Sequence, residues 1–230
     1  RLKDFKVEGL QNPWDLTADS STQRLYIADQ DSDCVWRIAA ADHTVDKFIT
    51  DVKPWTLSVT SGRLLVTSRY SSELSLSSSL LLYGADGVRL QQIKLPEYME
   101  AQHAVETPRG TYIVCHGWLV DGRHGVSEVD GAGRVVRVYY DGPPGPGPLQ
   151  LNTPCHVTQF AAGRRLLIAD RGNSRVLSLT ADLKLDRVLL TADHDQLDEL
   201  PWRLSVNKKT RRLVVGGGNS HSVTVLNIDQ

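Results

Sequence analysis

Asn12-Pro13-Trp14-Asp15-Leu16 is the first copy of a phrase, Pro-Trp-x-Leu or a degenerate form of it, that returns along the chain. The later copies are Lys53-Pro54-Trp55-Thr56-Leu57, Ala101-Gln102-His103-Ala104-Val105, Thr153-Pro154-Cys155-His156-Val157 and Leu200-Pro201-Trp202-Arg203-Leu204. The repeats begin near positions 13, 54, 102, 154 and 201, so the period is 41 to 52 residues. A period of this size is typical of propellers and other repeat architectures, with one structural unit per repeat.

Each copy is followed by a second short apolar run. These runs are Leu25-Tyr26-Ile27-Ala28, Leu64-Leu65-Val66, Tyr112-Ile113-Val114, Leu166-Leu167-Ile168-Ala169 and Leu213-Val214-Val215. They are rich in Val, Ile, Leu and Tyr and are separated by Gly, Asp, Asn and Ser, which is a strand-and-turn pattern. The sequence therefore predicts an all-β fold, a β-propeller with four antiparallel strands in each blade.

The number of repeats predicts five blades in one domain that spans residues 1–230. The last repeat contains only three strand-like runs, so its fourth strand must come from elsewhere in the chain. Residues 1–8 precede the first Pro-Trp as a strand would, and we expect them to complete the last blade and remove an exposed sheet edge. A six-bladed ring is the alternative, but it needs a sixth repeat.

Composition limits the partners that the chain can have. The 230 residues are 40% hydrophobic, the formal net charge is −1, and no apolar run approaches the length of a membrane span. This balance favours neither nucleic acid nor anionic lipid as an electrostatic partner. The three cysteines, Cys34, Cys115 and Cys155, lie in strand-like runs, which predicts reduced, buried thiols and a cytoplasmic location.

Antiparallel pairing assigns the connections to two faces of the ring. The long connections, predicted at 69–79, 116–124, 141–152 and 192–200, all fall on the face where the innermost strands begin. We call this the loop-rich face. Long loops on a rigid scaffold often carry recognition, so the functional site is expected there.

Two segments carry a family resemblance. Leu166-Leu167-Ile168-Ala169-Asp170-Arg171-Gly172-Asn173-Ser174-Arg175-Val176 resembles the core of the NHL repeat, and the stretch from Leu25 to Val35 is a looser copy. The resemblance implies a propeller that serves as a binding platform. In tripartite-motif proteins such a domain follows a RING ubiquitin-ligase module and binds proteins or single-stranded RNA; in peptidylglycine amidating lyases the same fold carries a metal-dependent active site.

Aromatic and polar residues of the loop-rich face are the candidate partner-binding residues. Trp14, Trp55 and Trp202 occupy equivalent positions, which His103 and Cys155 fill in the other two repeats, and indoles there could clasp a peptide, stack on bases, or pack between blades. Asp29 and Asp170 are interpreted as structural residues that accept backbone N–H groups within the loop between the second and third strands of their own blades. The candidate set is Trp14, Arg69, Tyr70, His103, Trp118, Arg123, Arg171, Asn173, Trp202 and His221.

The sequence favours a non-enzymatic module that binds a protein partner, without membrane contact, metal or small-molecule cofactor. By the resemblance, it would recruit partners for a larger ubiquitin ligase. Single-stranded RNA binding is the alternative, although the densest basic cluster, residues 208–212, falls on the opposite face. A metal-dependent lyase is the second alternative, but the seven histidines show no ligand-type spacing.

Overall fold

A computed structural model describes residues 7–72, 75–119, 122–161, 164–192, 200–218 and 223–228, with only the backbone described for residues 70–72 and 75–76. The first two blades contain β1 (Pro13–Asp19), β2 (Arg24–Asp29), β3 (Cys34–Ala39), β4 (Val45–Thr50), β5 (Pro54–Thr60), β6 (Arg63–Ser72), β7 (Ser75–Tyr83) and β8 (Arg89–Lys94). The third and fourth contain β9 (Ala101–Glu106), β10 (Tyr112–His116), β11 (His124–Val129), β12 (Val135–Gly142), β13 (Pro154–Phe160), β14 (Arg165–Asp170), β15 (Arg175–Thr180) and β16 (Leu185–Thr191). The fifth contains β17 (Pro201–Asn207), β18 (Arg212–Gly217) and β19 (Val223–Asn227).

The strands form five separate antiparallel sheets, each ordered as in the chain, so the predicted all-β propeller with five blades is confirmed. In the described part of blade 5 there are three strands. The strand predicted to close this blade lies mostly in residues 1–6, outside the described residues, and Val7 and Glu8 belong to no strand. Helical structure among the described residues includes a 3₁₀ turn, Arg171–Asn173, and no helix there could span a membrane.

One predicted loop is wrong. Residues 69–79 were expected to form a long connection, but β6 and β7 pair along most of this segment, from Arg69 opposite Ser78 to Ser72 opposite Ser75. The ladder continues because alternating Ser and Leu in this stretch is compatible with extended backbone. Blade 2 therefore carries a long hairpin on the loop-rich face.

The innermost strand of every blade has an irregularity at the same place. In β1 the pairing passes from Pro13 opposite Asp29 to Asp15 opposite Ala28 and leaves Trp14 unpaired, which describes a β-bulge. The bulged residues of the other blades are Trp55, Gln102, Cys155 and Trp202. The prediction that His103 is equivalent to these tryptophans is wrong by one residue, since Gln102 holds that position.

Apolar layers join the blades in order. Successive side chains of a strand point to opposite faces, so each middle strand contributes to two layers. Leu64 and Val66 of β6 pack toward blade 1, whereas Leu65 packs toward blade 3. Four such layers, each with at least ten buried hydrophobic residues, lie between blades 1 and 2, 2 and 3, 3 and 4, and 4 and 5.

No equivalent apolar layer occurs between blades 5 and 1 among the described residues. On β2, Tyr26 and Ala28 are buried toward blade 2, but Leu25 and Ile27 on the other face are only partly buried. An ion pair crosses this boundary instead, with 2.9 Å between Arg203 Nε and Asp15 Oδ1. We call the boundary the seam. Burial raises the pKa of Asp15, although Arg203 and the Leu57 N–H act to lower it.

Replacement of Arg203 by Met should destabilise the ring at the seam. The Asp15 carboxylate would remain buried without its cation, and breaking such a pair costs about 3 kcal/mol, near the lower end of the range for buried pairs because Arg203 is partly exposed. Urea unfolding at neutral pH measures the loss.

Lys53→Met is the matched control, because the Lys53–Asp33 pair is half-exposed and should contribute less than about 1 kcal/mol. Equal losses for the two variants would contradict a special role for the ion pair at the seam.

Candidate functional site

The bulges bring three tryptophans together where the innermost strands begin. The ring centroid of Trp14 lies 4.9 Å from that of Trp55 and 6.1 Å from that of Trp202, so the indoles contact one another across blades 5, 1 and 2. All three side chains are half-buried. If packing alone explained them, each indole N–H should have an acceptor. The Nε1 of Trp14 is buried and has none among the described residues.

Trp118 joins this group from the loop that follows β10. Its ring centroid lies 5.8 Å from that of Trp202, and its side chain is 37% exposed. The backbone N–H of Trp118 donates to Glu100 Oε2 at 3.2 Å, which anchors the loop to blade 3. Gly117 makes the turn possible, because its φ is +104° and a Cβ there would lie 2.6 Å from the Cα of His124.

Two arginines lie over these rings. The guanidinium of Arg69 is 4.3 Å from the Trp55 ring, and that of Arg171 is 4.5 Å from Trp202 and 5.5 Å from Trp118. Each cation–π contact contributes about 0.5–2 kcal/mol, depending on exposure. We call Trp14, Trp55, Trp118, Trp202, Arg69 and Arg171 the mouth cluster. The sequence analysis selected all of these residues except Trp55 as candidates.

The two arginines have unused hydrogen-bonding capacity. Burial lowers the pKa of Arg69 from its ordinary value, with Glu100 acting in the opposite direction, and its one described hydrogen bond is a long one of 3.5 Å to Gln102 Oε1. Arg171 has a buried Nε with no partner among the described residues. Guanidinium groups recognise carboxylate and phosphate through paired N–H donors, so the mouth cluster is suited to an anionic group.

A buried carboxylate ties together the segments around the 3₁₀ turn that begins at Arg171. Asp170, the last residue of β14, accepts the N–H of Asn152 at 2.8 Å, the side-chain amide of Asn173 at 2.8 Å and Nε of Arg175 at 2.7 Å. The predicted structural role of Asp170 is thus supported, and one of its partners comes from the segment that enters the blade. Asn173 also donates to the Gly145 carbonyl at 3.0 Å, so this candidate is a tether of the proline-rich loop.

Asp29 has the same role in blade 1. Its carboxylate accepts the backbone N–H groups of Gln11 and Asn12 and the indole N–H of Trp36, at 2.8 to 3.1 Å. The sequence interpretation placed these acceptor bonds within the loop between the second and third strands. The structure corrects this point, because the backbone donors precede β1. The carboxylate therefore fixes the entry of the chain into the blade.

His103 lies below the mouth in a ring of polar residues. The positions after the five bulges are Asp15, Thr56, His103, His156 and Arg203. The rings of His103 and His156 stack with centroids 3.8 Å apart, and His103 Nε2 is 3.2 Å from the Leu57 carbonyl oxygen, to which it donates. Burial, with a smaller contribution from Arg203, lowers the pKa of His103 to about 3. His103 is therefore neutral at physiological pH.

The remaining candidates are not part of the mouth cluster. Arg123 lies 4.8 Å from the Tyr98 ring and pairs with Asp141 at 3.3 Å, in a separate group beside blade 3. The side chain of Tyr70 and all of His221 lie outside the described residues. Within the described ranges, no three His, Cys, Asp or Glu side chains come together as a metal site would require.

Sequence reasoning missed two residues that shape the site. Glu100 anchors Trp118 and faces Arg69, but it precedes a repeat that lacks the Pro-Trp phrase, so no motif marks it. Arg203 was visible as the residue after Trp202, and its pairing with Asp15 depends on ring geometry rather than on local sequence. Asp15 and Arg203 both follow the Pro-Trp of their repeats, in the first and last units. Their opposite charges at this shared position are the signal that could have predicted the ion pair.

Comparisons with known proteins identify the fold and nothing narrower. No family model matches the chain, and no curated protein matches it. The chain superposes on a chain of a nidogen/laminin complex with a TM-score of 0.73 and 17% identity, covering 98% of this chain and 79% of that one. For Kuenenia stuttgartiensis hydrazine synthase the TM-score is 0.65, with 15% identity and coverage of 93% and 70%; for a streptogramin B lyase they are 0.61, 12%, 99% and 73%.

The buried histidines predict a dependence of stability on pH. Burial lowers the folded-state pKa of His103 to about 3, of His116 to about 4, and of His156 well below its usual value. The unfolded chain therefore takes up protons first, and stability present above about pH 6.5 is lost as the pH falls. Each histidine contributes at most about 1.4 kcal/mol per pH unit.

Urea unfolding between about pH 7.5 and 5.5 tests this dependence. His103→Gln keeps a donor for the Leu57 carbonyl and should flatten the slope by the contribution of one histidine. The difference between the two proteins is the useful measure, because Asp15 and Asp170 have pKa values raised by burial and act in the opposite direction. An unchanged slope in the variant would refute the assignment.

Proposed function

We propose that this domain is a non-enzymatic recognition module that binds a protein partner through the mouth cluster. The observation that carries the proposal is Arg171, whose guanidinium stacks on two indoles while its buried Nε has no partner in the described chain. Because that Nε is buried, a partner's carboxylate would pair with the outer N–H groups of the guanidinium. Aromatic and arginine side chains are also the residues that contribute most at protein interfaces.

Charge on the loop-rich face supports an acidic peptide segment. Arg69 and Arg171 supply two underpartnered cations, but Asp31 and Asp33 lie in a loop of the same face and Asp141 lies near the end of β12. A single carboxylate between the arginines avoids these acids, whereas a continuous phosphate backbone would have to pass them. The formal net charge of −1 likewise gives little attraction for a polyanion.

The wider setting is also part of the proposal. By its NHL-like segments, the domain would recruit a partner for a ubiquitin-ligase module in the same polypeptide, as in tripartite-motif proteins. The three free, buried cysteines support a location in the reducing cytoplasm. Cys and His at zinc-site spacing in the upstream part of the gene would support the ligase; a gene without them would overturn it.

Charge reversal at Arg171 should weaken binding of acidic peptides. A random peptide library selected on the immobilised protein should yield sequences enriched in Asp and Glu. Affinities of these peptides, measured by fluorescence anisotropy, should fall about tenfold or more in Arg171→Glu, because loss of a charge-assisted pair costs about 1.5–3 kcal/mol. Lys209→Glu makes the same charge change at an exposed turn on the opposite face and should leave affinity unchanged.

Two results would contradict the proposal. One is a library selection without acidic enrichment, and the other is equal binding by Arg171→Glu and the unaltered protein. Thermal unfolding of each variant shows whether a loss of binding reflects a loss of fold.

Single-stranded RNA is the second candidate, because half-exposed indoles beside arginines can stack on bases as well as on peptide groups. If RNA is the ligand, a short uridine oligonucleotide should bind at low salt. Its log affinity should then fall linearly with log salt, with a slope of about −0.7 per neutralised phosphate. The proposal of a protein partner expects no such binding and no such slope.

A further inference from the structure

The walls of the seam are apolar but incompletely buried. The apolar residues of β2 that face blade 2 and those of β18 that face blade 4 are buried. Ile27 and Val214, which face the seam, are only partly buried. Leu16 of β1 is 59% exposed and Val223 of β19 is 61% exposed. The same strand positions elsewhere in the ring lie inside an apolar layer, so the seam presents surface of the kind that the fold normally covers.

A cavity of about 580 Å³ lies between these walls. Its apolar lining includes Leu16, Ile27, Leu204, Val214 and Val223. Its polar lining includes Trp14, Asp15, His156 and Arg203. Pockets that hold ligands have this range of volume and this combination of mostly apolar walls with a few polar groups.

Two polar atoms that belong to this lining are unsatisfied. His156 is 8% exposed and its Nδ1 has no hydrogen-bond partner among the described residues, and the same is true of Trp14 Nε1. Asp15 and Arg203 pair with each other and so do not supply a partner. Buried polar groups without partners are rare in folded proteins and call for an explanation. Both atoms have almost no accessible surface, so a ligand would pair with them only where it displaces the side chains around them.

The cavity adjoins the mouth cluster through a shared residue. Trp14 lines the cavity and contacts both Trp55 and Trp202, and Arg203 of the lining lies 5.7 Å from the Trp202 ring. An extended chain advances about 3.3 Å per residue, so a segment of a few residues could occupy both places. The two sites therefore suit neighbouring side chains of one ligand.

We infer that the seam binds a bulky apolar side chain of the partner, a few residues from the carboxylate that the mouth cluster binds. The occupant is an extended peptide segment in which Asp or Glu lies close to Leu, Ile, Met or Phe. This inference rests on the proposed function and adds to it a preference for an apolar residue near the acidic residue of the peptide. The apolar side chain fills the cavity beside His156 and Trp14.

Gly216→Leu tests the inference by filling the cavity from within. Gly216 lies on β18 among the lining residues, and a Cβ built there meets no atom closer than 4.0 Å, so a side chain can begin there without a backbone shift. The variant should unfold at higher urea concentration than the unaltered protein, because it buries apolar surface. Val136→Leu adds apolar bulk at an exposed position of β12 and serves as the control.

Random peptide selection on three proteins separates the two ideas. The unaltered protein should select acidic peptides with an apolar residue at a fixed offset, Gly216→Leu should select acidic peptides without that apolar preference, and Arg171→Glu should select neither. Peptides from the first selection should lose about tenfold or more in affinity for Gly216→Leu, the value of one buried leucine side chain, and nothing for Val136→Leu.

The outcomes are distinct. Retention of the apolar preference in Gly216→Leu, or its absence in the unaltered protein, overturns the seam pocket and leaves the acidic mouth intact. Acidic peptides that still bind Arg171→Glu overturn the proposed function itself. If the unaltered protein binds the uridine oligonucleotide and selects no peptide, both peptide proposals fail.

Discussion

The β-bulge at the start of each innermost strand is the constraint on which the rest of this structure depends. A bulge places one extra residue on one strand and re-aims the side chains around it. All five blades carry the bulge at the same position. The bulged residue of each blade is therefore Trp, Gln102 or Cys155, and the residue after it belongs to the polar ring. The contacts among Trp14, Trp55 and Trp202 and the stacking of His103 on His156 are both consequences of this single repeated feature.

The polar ring shows how the fold tolerates titratable groups at its centre. Asp15 is stabilised by Arg203 and by the Leu57 N–H, at 2.9 and 2.7 Å, which offsets part of the cost of burying its charge. His103 and His156 avoid that cost by remaining neutral, so their rings can stack closely. Two different solutions to burial therefore lie side by side, and the charged one is at the seam.

Much of the architecture could be predicted from the chain because it depends on local pattern. The run from Leu25 to Ala28 indicates a strand, and the spacing of its copies indicates five blades. The register at His103 could not be predicted, since a bulge changes which residue faces the axis without changing the apolar alternation. The meeting of Arg171 with Trp118 depends on the paths of two loops from different blades. The hairpin of β6 and β7 was missed because serine-rich segments also form loops.

Blades in such a protein contact only their neighbours, so stability is close to a sum of local terms. In the described part of this ring, apolar layers join four of the blade boundaries, and an ion pair crosses the boundary between blades 5 and 1. In energetic terms the blades therefore resemble a linear array that begins at blade 1 and ends at blade 5. Local opening of the folded structure should therefore begin where blades 5 and 1 meet. A ligand bound at the seam would hold blades 5 and 1 together. Because it binds only the folded ring, its binding free energy would add to the free energy of unfolding, and the five blades would unfold more cooperatively.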